Sequence, residues 1–327
     1  MEEILPNLYR VIVPLPRNPL KEINSWILTS DDRNLIIDTG MNRPECIEVL
    51  QPALDEIGLN MEKTDLIATH LHADHFGLVG TLATKSSTVY MGAGDAGMMN
   101  TGSGWVMMTE FATLTGFSKE EAEAALKMHP GARFGPSSIP DITPFHDGDT
   151  LSVGDYFLQG VETPGHTPGH MCLYEPNKKI LFSGDHILGD ITPNIQAWSN
   201  IDDPLDYYIN SLNKVSKLEM KIVLPGHRSI IADGPKRIKE LIEHHRVRAN
   251  EVLSILEKGD RNAYQTAAEM TWDIKADSWD DFPVSQKWFA VGEAIAHIRY
   301  LEGKKLVQSE TIDGQIIYSA NEVGVRL

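Results

Sequence analysis

Short apolar runs bounded by turn residues recur along the first 230 residues and predict strands in consecutive groups. The expected strands are 8–13, 25–28, 34–38, 65–68, 87–91, 151–161, 171–174, 180–182 and 222–224. Helical patterns are interposed at 44–57, which Gly58 ends, and at 204–218. Because the strands do not alternate one by one with helices, the pattern favours stacked sheets covered by helices over a doubly wound sheet.

Residues 92–145 interrupt this pattern with a stretch that is rich in glycine and methionine. Ser118 and Glu121 have the spacing of a capping box and predict a helix that contains residues 122–128. We interpret 92–145 as a helical insertion. Insertions of this length commonly cover a site or an interface.

The pattern changes again at residue 234, where three helical segments and a hairpin follow one another. The helices are expected at 235–256, 262–270 and 283–301, and the hairpin strands at 305–311 and 315–319. Asp313-Gly314 is a typical two-residue hairpin turn, and His297 is expected on the exposed, polar side of the third helix. This is the order of elements in a winged helix, so we predict one domain at 1–233 and a winged-helix-like domain at 234–327.

Composition narrows the class of protein. The chain of 327 residues has 29 Lys and Arg against 46 Asp and Glu, a formal net charge of −17, and most of the acidic excess lies before residue 236. Such acidity disfavours a large nucleic-acid interface, because phosphate binding needs surplus Lys and Arg. No apolar run approaches the roughly 18 residues of a membrane span, and we expect no signal peptide at the start. Two cysteines fit a reducing compartment, so we expect a cytoplasmic protein.

The densest group of candidate ligands is the motif His70-x-His72-x-Asp74-His75, which follows the expected strand 65–68. Imidazole and carboxylate together suit zinc, iron or manganese. Residues two apart in an extended chain point the same way, so His70 and His72 can hold one ion. Asp74 and His75 come a step later, where the chain turns into a helix, and can face a second ion.

Three further candidates, His166, Asp185 and His227, each come just after an expected strand. Strand ends are rigid positions from which several ligands can be aimed at one point. Together with the motif they supply enough ligands for two ions. One set is His70, His72 and His166; the other is Asp74, His75 and His227; Asp185 stands between them.

These residues, in this order, resemble the metallo-β-lactamase-fold hydrolase superfamily, and the matching strand order covers residues 1–230. The resemblance implies an α+β fold, a four-layer αββα sandwich with a dinuclear metal site at one edge of its sheets. It implies that Asp185 bridges the two ions. Zinc β-lactamases carry a cysteine at that position, so the resemblance points to the glyoxalase II-like and nuclease-like branches. The C-terminal part resembles lactamase-like proteins with an appended winged helix, some of which are endoribonucleases.

The expected cofactors are two divalent transition-metal ions, with zinc the first choice and iron or manganese also compatible. A metal-bridging hydroxide would attack a carbonyl or phosphoryl centre, and Asp74 and Asp185 would orient its proton. Asp38, in Ile37-Asp38-Thr39-Gly40, is either a carboxylate that supports a ligand histidine from behind or a turn-forming aspartate.

Three functions follow from these observations. The first is hydrolysis of a small ester, thioester or lactone, which the acidic first part and the apolar insertion favour. The second is a metal-dependent endoribonuclease or phosphodiesterase, which would need a basic track. Its only candidates are Lys236-Arg237-Lys239 and Arg246-x-Arg248. The third, a DNA-binding regulator, is disfavoured by the mixed charges of the third C-terminal helix. We expect the C-terminal module instead to close the site or to form a contact between two copies of the chain.

Overall fold

The computed structural model describes residues 1–101, 104–198 and 201–327, which form two compact units. Unit 1 comprises Met1–Asn100, Phe134–Pro193 and Ser211–Ile238, and unit 2 comprises Thr101–Arg133, Asn194–Asn210 and Lys239–Leu327. Each unit is therefore assembled from segments that are distant in the sequence. The domains expected at 1–233 and 234–327, with an insertion at 92–145, are a different division of the chain and stay a prediction. Residues 102–103 of that insertion lie outside the described residues.

Unit 1 contains a sheet of seven strands that lie side by side in chain order. These strands are β1 (Glu2–Leu5), β2 (Leu8–Pro14), β3 (Glu22–Leu28), β4 (Asn34–Ile37), β5 (Thr64–Ala68), β6 (Val89–Gly92) and β7 (Ile142–Phe145). The first four are antiparallel and the last four, from β4 onward, are parallel. The hairpin expected between 25–28 and 34–38 is confirmed as β3 and β4, whereas β1 and β7 were not expected.

A second sheet in unit 1 has the strand order β12-β11-β10-β9-β8. Its strands are β8 (Thr150–Val153), β9 (Tyr156–Glu162), β10 (Met171–Glu175), β11 (Ile180–Gly184) and β12 (Ile222–Pro225). The single strand expected at 151–161 was wrong. Gly154 has a φ of +54°, a conformation that glycine adopts easily, and the chain reverses there so that Val153 pairs with Tyr156.

The alternation of side chains along the first sheet explains the layers of unit 1. In β4, Ile36 packs with the helices α1 (Pro44–Ile57), α2 (Ala73–Phe76) and α3 (Val79–Leu82). Leu35 and Ile37 point the other way and pack with Leu173 and Phe182 of the second sheet. Strands β10 and β11 are buried along their whole length, as in a sheet covered on both faces. The expected α+β fold of stacked sheets and helices is confirmed.

The remaining helices include those expected after residue 234. They are α4 (Ala93–Thr101), α5 (Gly104–Leu114), α6 (Lys119–Met128), α7 (Pro130–Phe134), α8 (Pro204–Val215), α9 (Gly234–Leu256), α10 (Ala263–Glu269) and α11 (Val284–Gly303). A two-stranded hairpin, β13 (Val307–Ile312) and β14 (Gln315–Ala320), follows α11. The expected order of helices and hairpin is present, but the winged-helix assignment stays a prediction. No described helix is long and apolar enough to cross a membrane.

His297 is buried rather than exposed, which corrects the expectation for α11. Its Nδ1 donates to the carbonyl oxygen of Glu293, and its Nε2 lies 3.1 Å from Nδ1 of His245 on α9. The helix pattern showed which residues share a face. It did not show that helices distant in the sequence cover the polar side as well as the apolar side.

Candidate metal centre

The motif His70-x-His72-x-Asp74-His75 begins two residues after β5 and runs into α2. His70 lies in a bend that follows the strand, and His72 is the N-cap residue of α2 and keeps an extended backbone. Asp74 and His75 lie within α2 and are buried. The change from strand to helix therefore gives the four side chains two different directions within six residues.

His70, His72 and His166 form the first cluster. Nδ1 of His72 lies 2.9 Å from Nε2 of His70 and 3.1 Å from Nε2 of His166. One ligand atom from each residue lies within 4.8 Å of the other two, which is close enough for all three to hold one ion. His70 and His166 are buried, and His72 is partly exposed.

Asp74, His75 and His227 form a second cluster of the same compactness. Oδ2 of Asp74 lies 3.4 Å from Nε2 of His227 and 4.0 Å from Nε2 of His75. Nδ1 of His227 faces the carbonyl oxygen of Glu22 at 2.6 Å, which turns Nε2 toward the carboxylate. This is the orientation that a ligand histidine needs, with its other nitrogen fixed by a carbonyl.

Asp185, just after β11, lies between the two clusters. Its carboxylate oxygens are 3.4 Å from Nε2 of His75, 3.5 Å from Nε2 of His227 and 3.8 Å from Nε2 of His166. The structure thus brings together all seven side chains that the sequence singled out as ligands. That they bind metal, and that Asp74 and Asp185 are catalytic, remain predictions.

The donor atoms fit a metal ion better than they fit one another. Among the described residues, Nε2 of His75, Oδ1 of Asp185 and Nε2 of His227 are buried without a hydrogen-bond partner. Leaving buried polar atoms unsatisfied is costly, and native proteins rarely do so without a reason. The three atoms converge on one small volume, and a divalent cation would satisfy all of them.

The electrostatics of the two clusters differ. Burial, followed by the neighbouring His166, lowers the pKa of His72 to about 3, so its ring is neutral and can donate a lone pair. In the second cluster, burial acts against the charged form, but Asp185 and Asp74 together raise the pKa of His227 to about 10. The pKa of His75 is likewise raised, against burial, by Asp38 and the other carboxylates. The second cluster therefore favours positive charge, as a cation site does.

Asp38 lies directly behind the second cluster. Its Oδ2 accepts a hydrogen bond of 2.8 Å from Nδ1 of His75, and its Oδ1 accepts one of 2.8 Å from the backbone N–H of Thr69. The two interpretations of this residue are both compatible with the structure, because Asp38 also has a φ of +60°, as turn-forming aspartates do.

Two further residues contact the candidate ligands or their backbone. The hydroxyl of Thr69 lies 2.9 Å from Asp38 Oδ2 and 3.1 Å from Nδ1 of His70. Nε2 of His170 accepts a hydrogen bond of 3.1 Å from the backbone N–H of Asp185. The repeated Thr-Pro-Gly-His of residues 163–170 places His170 four residues after His166, as a neighbour of the candidate ligands.

A model of the metallo-beta-lactamase superfamily matches residues 19–227, a range that includes every candidate ligand. The chain belongs to this superfamily. The family named from the spacing of the histidines and aspartates is therefore confirmed.

The curated proteins that are similar to this chain include several from fungi. Lactamase-like protein adaB of Aspergillus niger is 27% identical over 263 residues, which cover 79% of this chain and 66% of that protein. Atrochrysone carboxyl ACP thioesterase of Aspergillus fumigatus is 26% identical over 273 residues, which cover 80% and 72%. The matched region spans slightly less than two thirds of the first of these relatives.

Solved structures of the superfamily show the same fold over nearly the whole chain. A metallo-beta-lactamase family protein from Thermus thermophilus has a TM-score of 0.82 and 26% identity, covering 97% of this chain and all of that one. A beta-lactamase domain protein from Burkholderia ambifaria has a TM-score of 0.81 and 24% identity, covering 98% and 93%. At that lower identity the second likeness concerns the fold alone.

Proposed function

We propose that this superfamily member is a dinuclear metal-dependent hydrolase that cleaves a small ester, thioester or lactone. The observation that carries the proposal is the convergence of two three-residue ligand clusters with Asp185 between them. A relative that is called a thioesterase supports an acyl substrate and agrees with a hydrolase.

In this proposal each ion has its own set of ligands. His70, His72 and His166 would hold one ion and Asp74, His75 and His227 the other, and Asp185 lies between the two clusters. Divalent ions bound there would supply a Lewis acid and a water of lowered pKa. Zinc is the first choice, and the nitrogen and oxygen donors also accept iron or manganese.

The chain's own residues supply access and proton handling. His72 and Leu71 are partly exposed whereas His70, His75 and His227 are buried, so substrate would approach from the side of His72. Asp185, placed between the clusters, would accept a hydrogen bond from the attacking water and orient it. Asp74 would take the same role on the side of His227.

Several of the basic residues that a nuclease or a DNA-binding regulator would need have partners within the chain. The guanidinium of Arg237 donates to the carbonyl oxygens of Leu188 and Ile191. Arg248 is buried and pairs with two glutamates, and Arg246 pairs with Glu243. Lys287, on the third C-terminal helix, is buried as well. These contacts support a small-molecule substrate over a nucleic acid.

The test combines metal analysis with a substrate screen. We expect about two transition-metal ions per chain and hydrolysis of at least one class among generic esters, thioesters and lactones, with little activity on phosphodiesters. Asp185→Asn should lower kcat/KM at least about 100-fold. Asp190→Asn is the matched control, because Asp190 is exposed and only five residues away. Full activity of the metal-free protein, or of Asp185→Asn, would contradict the proposal.

A further inference from the structure

A buried carboxylate that the proposed chemistry does not use lies in the first turn of α4. Asp95 has no exposed surface, and its Oδ2 accepts hydrogen bonds from the backbone N–H of Leu71 at 2.9 Å and from the hydroxyl of Thr167 at 2.7 Å. Its Oδ1 accepts a hydrogen bond of 2.6 Å from the backbone N–H of Gly169. All three of these donors belong to the two loops that carry the first histidine cluster.

The three groups that donate to Asp95 lie next to the histidines of the first cluster. Leu71 stands between His70 and His72, and Thr167 directly follows His166. One side chain therefore joins the loop after β5 to the loop before β10. The two loops are 95 residues apart in the chain, counted from Leu71 to His166. Each of them nevertheless donates hydrogen bonds to Asp95.

The backbone around Asp95 allows α4 and the loop before β10 to approach each other closely. A Cβ on Gly92 would overlap the carbonyl oxygen of Gly169, and a Cβ on Gly169 would overlap the backbone nitrogen of Asp95. A Cβ on Gly94 would lie only 2.9 Å from the carbonyl oxygen of Pro168. Because these three residues are glycines, no side chain holds α4 away from the loop before β10.

We propose that Asp95 is a positioning residue that sets the separation of the two loops and thereby the metal affinity of His70, His72 and His166. Asp95 can have this role only if that cluster binds a metal ion, so it rests on the proposed function. A carboxylate is required because both of its oxygens accept. An asparagine would present N–H to one of the donors whichever way its amide is turned.

Asp95→Asn tests the role with little change of shape. The wild type and the variant are loaded with Cd²⁺, followed by ¹¹³Cd NMR, and their dissociation constants are measured by chelator competition. We expect two resonances in the wild type. The one that His166→Ala abolishes should shift in Asp95→Asn, and its ion should bind about 10 to 100 times more weakly. The other ion should keep its affinity to within about threefold.

Asp65→Asn is the matched control. Asp65 also accepts from a backbone N–H, that of Thr88 at 2.7 Å, and from a side chain, Arg33, but it lies on β5 away from the ligands. This control should lose thermal stability without a change in either dissociation constant. Thr167→Val removes one donor to Asp95 and should weaken the binding of the same ion. Thr167→Ser keeps the hydroxyl, so its dissociation constant should equal that of the wild type. This pair decides the matter if Asp95→Asn does not fold.

The outcomes separate the two proposals. A wild-type protein that binds no Cd²⁺ or Zn²⁺ overturns the proposed function, and with it the role of Asp95. A wild type that binds two ions, with wild-type constants in Asp95→Asn or Thr167→Val, overturns the role of Asp95 alone. Equal weakening by Asp95→Asn and Asp65→Asn would show a merely structural effect and would also overturn it.

Discussion

At the scale of single residues, Asp38 combines a backbone task with a side-chain task. Its φ of +60° lies in the left-handed region, which asparagine and aspartate tolerate better than other side chains. Its carboxylate accepts from His75 and from Thr69. A substitution that keeps one task and removes the other can therefore separate them.

Asp38→Asn should keep the backbone conformation and weaken the support of His75. We expect metal in the second cluster to bind about 10 to 100 times more weakly, because a ligand histidine loses the carboxylate that orients it and raises its basicity. Chelator competition measures the affinity. Asp38→Ala should lose stability as well, since alanine is strained at this φ. Unchanged metal affinity in Asp38→Asn would contradict a supporting role.

The sequence singled out seven candidate ligands that lie close together in the structure, but it did not indicate every residue that contacts them from behind, for a physical reason. A metal cluster needs rare residue types at tight spacing, and His70, His72 and His75 satisfy that within one short motif. Asp95 and His170 act through hydrogen bonds with backbone N–H groups. Every residue except proline carries such a group, so no pattern of residue types marks the partner.

At the scale of elements, the sequence predicted the ends of helices correctly where capping residues next to those ends determine them. α1 occupies the expected 44–57, with proline in its first turn and Gly58 at a φ of +77° after its end. α6 has the capping box that Ser118 and Glu121 indicated, with both hydrogen bonds present. The strand expected at 151–161 failed because a two-residue reversal within an apolar run leaves the alternation nearly unchanged.

Ser118→Ala should destabilise the protein by about 1 kcal/mol, because the hydroxyl accepts from the backbone N–H of Glu121 and that donor would be left without a partner in the chain. Urea unfolding followed by circular dichroism measures the change. Lys119→Ala is the control: among the described residues Lys119 pairs with the exposed Glu123 at 4.0 Å, and the loss of this exposed pair should cost less than about 0.5 kcal/mol. Equal effects of the two variants would contradict the importance of the cap.

At the scale of the whole molecule, the metal site should contribute to stability. Buried atoms of His75, Asp185 and His227 lack hydrogen-bond partners among the described residues, and an ion that satisfies them binds the folded chain and not the unfolded one. Dialysis against a chelator should lower the thermal midpoint, and added zinc should restore it. Calorimetry measures both steps. An unchanged midpoint after complete removal of metal would show that the site adds nothing to stability.

The buried pair of His245 and His297 should make stability depend on pH. Because Nδ1 of His297 donates to a carbonyl oxygen, its Nε2 accepts from Nδ1 of His245, and both rings are neutral. Burial, ahead of the effect of Arg248, lowers the pKa of His297 to about 4, and burial together with its neighbour holds the pKa of His245 well below its usual value. Among the described residues, the titratable and charged groups that face the pair are Glu293, Arg248, Glu251, His244 and Tyr208.

The sign follows from comparing the two states. In the unfolded chain His297 takes up a proton near pH 6.5, whereas in the folded chain it does so only near pH 4. Its contribution to the free energy of unfolding is therefore complete above pH 6.5 and is lost as the pH falls toward 4. His297→Gln removes this titration. Its deficit in unfolding free energy relative to the wild type should shrink by up to about 1.4 kcal/mol per pH unit between pH 6 and 4.5. Because the candidate metal ligands are the same in both proteins, their own titration cancels in the comparison. A deficit in unfolding free energy that stays constant over this pH range would mean that His297 is not buried as a neutral ring.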